Sequence, residues 1–294
     1  MRLMERRYVS KNGVIERTRF CVGENATIRR GRHKATTERK QEQNDQSALR
    51  RLARAFNCNI QPGDGSMLIS LDYSEEELDR LISSLPEEQQ RAMKTMLVPT
   101  TWRKTRPEKD QTVVEAMAAV VRMAEKKLSA WLRKLRKLMP IKFASVTSYT
   151  DGDTGELVRL HHHVVLMGCG KISLDKLVDS WSFGGVDCKR ISKQADYTPI
   201  AVYMLRQARR TKKDGKLYRI SRGLEVPMVE EREITGRADI VIPAKAVVFE
   251  RSEYKAEMGP MQGGYARYIL SRTKKQRKLG LTVEGGGDDA VPEA

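Results

Sequence analysis

The longest regular pattern of apolar positions in the chain lies in residues 112–138, where apolar side chains recur every three or four residues. This spacing places them along one face of an α-helix. We therefore predict a helix from Thr112 to Leu138 whose apolar face lies in a core. The opposite face is basic and is typical of a solvated surface, although it also suits contact with a nucleic acid. Its members are Arg122, Lys126, Lys127, Arg133, Lys134 and Lys137.

Shorter apolar runs predict strands. They are SMLISLDY (66–73), IKFASVTSY (141–149), LVRLHHHVVLMG (157–168) and DCKRI (187–191). A turn rich in Asp and Gly, residues 150–156, separates the second and third runs, so we expect an antiparallel hairpin.

Helix signals lie between and before these strands. We expect helices from about Thr37 to Phe56, from Ser74 up to an interruption at Pro86, after Ser173, and from near Pro199. Ser74 and Glu77 form a capping-box pattern, which is typical of a helix start. Helices mixed with antiparallel strands indicate an α+β fold.

The chain divides by composition into four segments. We expect a basic N-terminal arm over residues 1–47, a central domain over 48–230, a C-terminal extension over 231–282 and a disordered acidic tail over 283–294. The arm fits either a solvated segment or one that contacts a DNA backbone.

Net charge indicates the class of partner. The 294 residues include 55 Lys and Arg against 38 Asp and Glu, a net charge of +17. Such an excess favours a polyanion, and nucleic acid is the commonest one. A membrane partner is not expected, because the chain has neither a long apolar stretch nor the apolar core of a signal peptide. Four widely spaced cysteines indicate ordinary thiols rather than a disulfide framework.

Three of the four histidines are consecutive, at positions 161–163. On a strand, His161 and His163 share one face, roughly 6–7 Å apart, and His162 points to the other. Two imidazoles on one face of an apolar strand suit a divalent metal site, with a buried structural pair as the alternative.

Five segments, taken in order over residues 29–228, resemble the HUH endonucleases, specifically the rolling-circle replication initiators of plasmids and small phages. An arginine-rich segment leads through a helix to the first strand, and a histidine motif, a helix with a short strand, a tyrosine helix and a closing segment follow. The segments are RRGRHKATTERKQEQNDQSALRRLARAFNCN with GDGSMLISLDY, GELVRLHHHVVLMG, LVDSWSFGGVDCKRI, YTPIAVYMLRQARR and YRISRGLEVP. The resemblance implies a central antiparallel sheet flanked by helices, with residues 48–230 as the nicking domain.

The resemblance also implies a reaction. His161 and His163 would hold Mn²⁺ or Mg²⁺, and Tyr203 would attack a phosphate of single-stranded origin DNA. The products are a 5′-phosphotyrosine link and a free 3′-OH that primes synthesis. Tyr197 is the alternative nucleophile. The two tyrosines lie about 240° apart around a helix, which favours a single nucleophile.

The chain departs from the family pattern at three positions. His162 replaces a hydrophobic residue, and Arg206 replaces a lysine that follows the tyrosine. Ser148 stands where a metal-binding polar residue, often Glu, is usual. A hard cation prefers a carboxylate, so Asp72 is our predicted third ligand, with Asp151 as another candidate.

The implied partners are origin DNA, expected as a hairpin, and a host helicase and polymerase, since the chain has no P-loop. The cell would be bacterial and the location cytoplasmic. Trp181 could stack on a base, but a buried position is favoured. Alternatives are a non-catalytic origin-binding protein and a related relaxase or transposase. The predicted DNA-binding residues are Arg29, Arg30, Arg32, Arg209 and Arg210.

Overall fold

The structure is a computed structural model that describes residues 2–22, 38–96, 111–150, 157–170, 172–208, 217–235, 239–255 and 262–270. The helices of these ranges are α1 (Glu38–Asn59), α2 (Glu75–Ser83), α3 (Glu87–Met96), α4 (Gln111–Leu138), α5 (Leu174–Asp179) and α6 (Thr198–Ala208). The strands are β1 (Arg2–Val9), β2 (Val14–Val22), β3 (Met67–Asp72), β4 (Lys142–Thr150), β5 (Leu157–Met167), β6 (Val186–Arg190), β7 (Arg219–Ile220), β8 (Met228–Ile234), β9 (Ala246–Lys255) and β10 (Gln262–Leu270).

The chain forms two compact units. Met1–Val9, Gly13–Arg29 and Met228–Ala294 make the terminal unit, and Ser10–Asn12 with Arg30–Pro227 make the central unit. Both contain a five-stranded sheet whose strand pairs are antiparallel. The α+β class is therefore confirmed.

The sheet of the central unit has the order β6-β3-β5-β4-β7, and β4 and β5 form the predicted hairpin. Its two faces belong to different cores. On one face, Ile69 and Val164 lie in a core with α2 and α4. On the other, Val146 and Val165 lie in a core with α1 and α6. The sheet is thus covered by helices on both sides, which is why alternate residues of β5 enter different environments.

Local signals placed the helices of this unit correctly. The hydroxyl of Ser74 accepts a hydrogen bond from the backbone N–H of Glu77 at the start of α2. Pro86 lies between α2 and α3, and Ser173 caps α5. Leu128 and Trp131 are among the residues that α4 buries, in agreement with the predicted apolar face.

The terminal unit corrects the predicted N-terminal arm and C-terminal extension. Residues 2–22 form the hairpin β1–β2, which pairs with β8 and β10 in the order β8-β1-β2-β10-β9. These strands carry many charged side chains, so they lack the clean apolar alternation that predicts a strand. The charges are accommodated by pairing across strands. Buried Glu5 accepts hydrogen bonds from Arg17, Arg19 and Arg232.

No described helix is both long enough and apolar enough to span a bilayer. The acidic tail predicted over residues 283–294 lies outside the described residues.

Candidate metal and nucleophile site

The histidine pair lies on the face of β5 that α1 and α6 cover. His161 and His163 have the same parity as Val165 and Met167, which belong to the core with α6. Their Nε2 atoms lie 3.1 Å apart, and their ring centroids lie 4.7 Å apart. The prediction that His161 and His163 share one face of a strand is therefore confirmed.

The outer nitrogens of the pair are held by protein groups. His161 Nδ1 donates to the carbonyl of Arg159 at 2.7 Å, and His163 Nδ1 lies 3.2 Å from Ser70 Oγ. Burial, reinforced by the charge of His161, lowers the pKa of His163 to about 3, so this imidazole is neutral near pH 7. The two Nε2 atoms are within hydrogen-bond distance of each other, and they are the nitrogens that would hold a divalent ion. These contacts are the kind that orient metal-binding histidines.

His162 points to the opposite face, where it is fully buried. Its Nε2 lies 2.8 Å from the hydroxyl of Tyr73, and its Nδ1 lies 2.9 Å from Oγ1 of Thr147. Burial, with a smaller effect of neighbouring His161, lowers its pKa to about 3. This histidine satisfies its two nitrogens inside the core and has a structural role.

Helix α6 brings Tyr203 to the histidine pair. The ring centroids of Tyr203 and His163 lie 5.1 Å apart. The start of α6 is anchored to α1: Asn57 donates to Asp196 Oδ1 at 2.9 Å, and the backbone N–H of Tyr197 donates to Asn57 Oδ1 at 2.9 Å. The first turn of α6 therefore has a fixed position, which determines where Tyr203 lies.

The two candidate tyrosines differ in environment. Tyr197 is only 1% exposed and belongs to the core between the sheet, α1 and α6. Tyr203 is partly exposed at the edge of that core. Burial, and then the charge of Asp187, raises the pKa of Tyr203, so its phenol is protonated near neutral pH. The structure brings together His161, His163 and Tyr203 but leaves Tyr197 in the core.

The predicted third ligands lie beside His161 without completing a metal site. Asp72 is directly opposite His161 on β3, and Ser148 is directly opposite it on β4. Residues opposite each other in a sheet share a face. Across the described parts of the chain, however, no three His, Cys, Asp or Glu side chains are close enough to hold one ion. Asp151 lies outside the described residues.

Sequence reasoning missed Ser70 and Asp187. Ser70 is opposite His163 on β3, and Asp187 is opposite Ser70 on the neighbouring β6, where its carboxylate is exposed. The polar residues at alternate positions of β6, Asp187 and Lys189, were the available signal. Their relation to the histidines depends on strand register, which the sequence does not state.

The remaining predicted residues are Arg206, Trp181 and the arginines expected to bind DNA. Arg206 is exposed on α6, three residues after Tyr203. Trp181 is buried, as favoured, and its indole N–H donates to the carbonyl of Asp72 at 2.9 Å. The predicted DNA contacts lie outside the described residues: Arg29, Arg30, Arg32, Arg209 and Arg210.

Comparison of the chain with family models, curated proteins and solved structures gives no significant match.

Proposed function

We propose that the protein is a rolling-circle replication initiator that nicks and rejoins single-stranded origin DNA through a tyrosine. One observation carries the proposal: His161 and His163 have Nε2 atoms 3.1 Å apart, and the ring of His163 contacts that of Tyr203. In this proposal, β5 would supply the metal-binding pair and α6 the nucleophile. The net charge of +17 supports a nucleic-acid substrate.

The proposed reaction is a transesterification at phosphorus. Tyr203 Oη forms a bond to the scissile phosphorus, the bond from phosphorus to the 3′ oxygen breaks, and the phenolic proton ends on that oxygen. Tyr203 is then linked to the 5′ phosphate, and the released strand ends in a 3′-OH. Attack by a 3′-OH on this link reverses the step and reseals DNA.

The residues around Tyr203 have distinct proposed roles. Since burial raises the pKa of Tyr203, the phenol has to lose its proton during attack rather than before it. Arg206, exposed three residues later on α6, would contact a DNA phosphate beside the nucleophile. Ser70 would hold the ring of His163 in place through Nδ1.

The histidine pair fits a divalent cation, since burial keeps His163 neutral, although no third ligand is close among the described side chains. His161 and His163 would bind Mn²⁺ or Mg²⁺ through Nε2. When bound, such an ion supplies Lewis acidity at a phosphate oxygen and orients the scissile group. Carboxylates on the same face, Asp72 and Asp187, would add oxygen ligands directly or through water.

Covalent adduct formation tests this function. The full-length protein is incubated with a pool of single-stranded DNA in Mn²⁺, with and without EDTA, and products are separated on a denaturing gel. We expect a metal-dependent adduct that carries a 3′ label, while the 5′-labelled fragment is released and can be extended by a polymerase. Tyr203→Phe and His163→Ala are expected to lower the adduct by at least about a thousandfold, because each removes a group needed for chemistry.

Tyr197→Phe is the matched control, since it removes the other tyrosine hydroxyl near α6 and should retain the adduct. Loss of the adduct only in Tyr197→Phe would overturn the choice of nucleophile and leave the reaction class intact. An adduct formed equally well in EDTA would contradict the role of the histidine pair.

The lack of a three-ligand group among the described residues favours one alternative, a non-catalytic origin-binding protein. It predicts binding of single-stranded DNA without an adduct from any DNA pool. A relaxase or transposase would form the same adduct on a different DNA, so the sequence of the cleaved site separates these two from an initiator.

A further inference from the structure

The basic side of α4 is an exposed charged surface of the central unit that the proposed reaction does not use. We define its basic row as Arg122, Lys126, Arg133 and Lys137. At 100° per residue these four side chains fall within about 60° around the helix axis, so they form one row. All four are exposed, and the row runs for about 22 Å along the helix.

The row faces away from the core. The apolar face of α4, which includes Ala124, Leu128 and Leu135, packs in the core on the side of the sheet that carries His162 and Val164. His161 and His163 point to the opposite side of the sheet, towards α6. Within the central unit, the basic row and the candidate nicking site therefore lie on opposite sides of the sheet.

The positive charge of the row is largely uncompensated. Ion pairs of the described residues include Lys127 with buried Glu77, but they do not include any member of the row. Arg133 Nε donates to the carbonyl of Ser129 on its own helix. Two acidic residues of α4 lie near the row: Glu125 is three residues after Arg122, and Glu115 is seven residues before it, about 10 Å along the axis. Four basic residues against these two leave this surface of α4 with an excess of positive charge.

We propose that the basic row of α4 is a binding surface for duplex DNA. The row consists of two pairs, Arg122 with Lys126 and Arg133 with Lys137. Members of a pair are about 6 Å apart along the axis, and corresponding members of the two pairs are about 16 Å apart. This separation suits the two phosphate backbones that border a groove roughly 12 Å wide. A single strand has only one backbone.

A membrane is a poor partner for this surface. Helices that lie on anionic membranes bury an apolar face in the lipid beside their basic residues. The apolar face of α4 is already buried in the protein core, for example at Leu128 and Leu132. Charge without accessible apolar area matches binding to phosphate backbones.

The proposal extends the proposed function by adding a second partner, and it does not depend on nicking. Single-stranded DNA would be cut at Tyr203 while adjoining duplex is held by α4 on the other side of the sheet. Binding and adduct formation are measured separately, so failure of one proposal is distinguishable from failure of the other.

The test compares two full-length variants that lose the same number of positive charges. The row variant carries Arg122→Gln, Lys126→Gln, Arg133→Gln and Lys137→Gln. The control variant carries Arg91→Gln, Lys176→Gln, Arg222→Gln and Lys245→Gln, all exposed residues outside α4. Circular dichroism and thermal melting establish that both are folded, since glutamine has nearly the helix propensity of lysine and arginine.

Binding to a labelled 30-base-pair DNA duplex of random sequence and to a 30-nucleotide single strand is measured by fluorescence anisotropy from 50 to 300 mM salt. We expect the row variant to bind duplex at least about thirtyfold more weakly, with a salt slope lower by about 3–4. The control variant should bind duplex less than about threefold more weakly than wild type does. The affinity for the single strand should also change by less than about threefold in both variants.

Three results would overturn the proposal: equal loss of duplex binding in both variants, an unchanged salt slope in the row variant, or loss of single-strand binding as large as loss of duplex binding. If the quadruple variant does not fold, the pairs Arg122→Gln with Lys126→Gln and Arg133→Gln with Lys137→Gln are measured separately. Each pair is then expected to lower the salt slope by about 2.

Discussion

At the scale of single residues, three consecutive histidines do different things because side chains alternate across a strand. His161 and His163 face α6 and bring their Nε2 atoms to 3.1 Å. His162 faces α4 and is held between Tyr73 and Thr147. A hydrophobic residue usually fills this middle position in the family that the chain resembles. Here the core instead contains a hydrogen-bonded imidazole.

Because His162 is hydrogen-bonded in the core, we expect its replacement by a hydrophobic residue to destabilise the protein. His162→Leu should lower the free energy of unfolding by about 1–3 kcal/mol, because the buried hydroxyls of Thr147 and Tyr73 lose a hydrogen bond each. Urea unfolding followed by circular dichroism measures the change. Adding Thr147→Val to His162→Leu should recover part of the loss, since it removes the hydroxyl that had bonded to His162. A His162→Leu protein as stable as wild type would show that the network contributes nothing.

At the scale of elements, the position of β6 depends on how closely its preceding loop approaches β3. The backbone N–H of Asp72 donates to the carbonyl of Gly185 at 2.9 Å, and that of Ser74 donates to the carbonyl of Phe183 at 2.8 Å. Gly184 lies between these contacts. A Cβ atom on Gly184 would lie 2.4 Å from the carbonyl oxygen of Asp72 and 2.6 Å from the backbone nitrogen of Ser74.

Gly184→Ala should therefore destabilise the protein by at least about 2 kcal/mol, because rigid backbone would have to move to admit the methyl group. Gly185→Ala is the matched control. Its nearest contact would be the Asp72 side chain at 3.8 Å, so we expect a change below about 1 kcal/mol. Thermal melting of the two variants measures the difference. Equal melting temperatures would contradict the close approach.

At the scale of the whole molecule, strands from the N-terminal and C-terminal parts of the described chain meet in one sheet. Strands β1 and β2 pair with β8 and β10, which are more than 200 residues away in sequence. Glu5 is a central charge of this terminal unit, since it accepts hydrogen bonds from arginines on both neighbouring strands. Burial alone would raise the pKa of Glu5, but the hydrogen bonds from Arg19, Arg17 and Arg232 outweigh it and lower this pKa to about 2.

Because the pKa of Glu5 is lowered, the stability of the folded protein depends on pH. The ordinary pKa of the carboxyl is 4.5, so its stabilising contribution is present above pH 4.5 and is lost as the pH falls towards 2. Glu5→Gln should cost on the order of 3 kcal/mol at pH 7, because the arginines lose their shared carboxylate. The difference in the free energy of unfolding between wild type and Glu5→Gln should become smaller below pH 4.5.

Urea unfolding at several pH values measures this gap. Glu233→Gln on β8 is the control, because Glu233 and its partner Arg2 are both more than half exposed, so this change should cost under about 1 kcal/mol. A gap between wild type and Glu5→Gln that stays constant down to pH 2 would be evidence against the buried cluster.

Local patterns in the sequence determined much of the central unit. The three- and four-residue period determined α4, and the capping pattern at Ser74 determined the start of α2. Alternation along β5 separated His161 and His163 from His162. Each of these features depends on residues that are close together in one helix or one strand. Over such short distances, sequence spacing alone determines which side chains share a face.

Tertiary structure decided the rest, because it depends on contacts between residues distant in sequence. Only the packing of α6 on the sheet placed Tyr203, rather than Tyr197, beside His163. Strand register brought Ser70 to His163 and placed Asp187 on the same face. The charged strands of the terminal unit are joined by ion pairs between strands distant in sequence, such as Arg6 with Glu231 and Glu5 with Arg232, and no local pattern records these pairs.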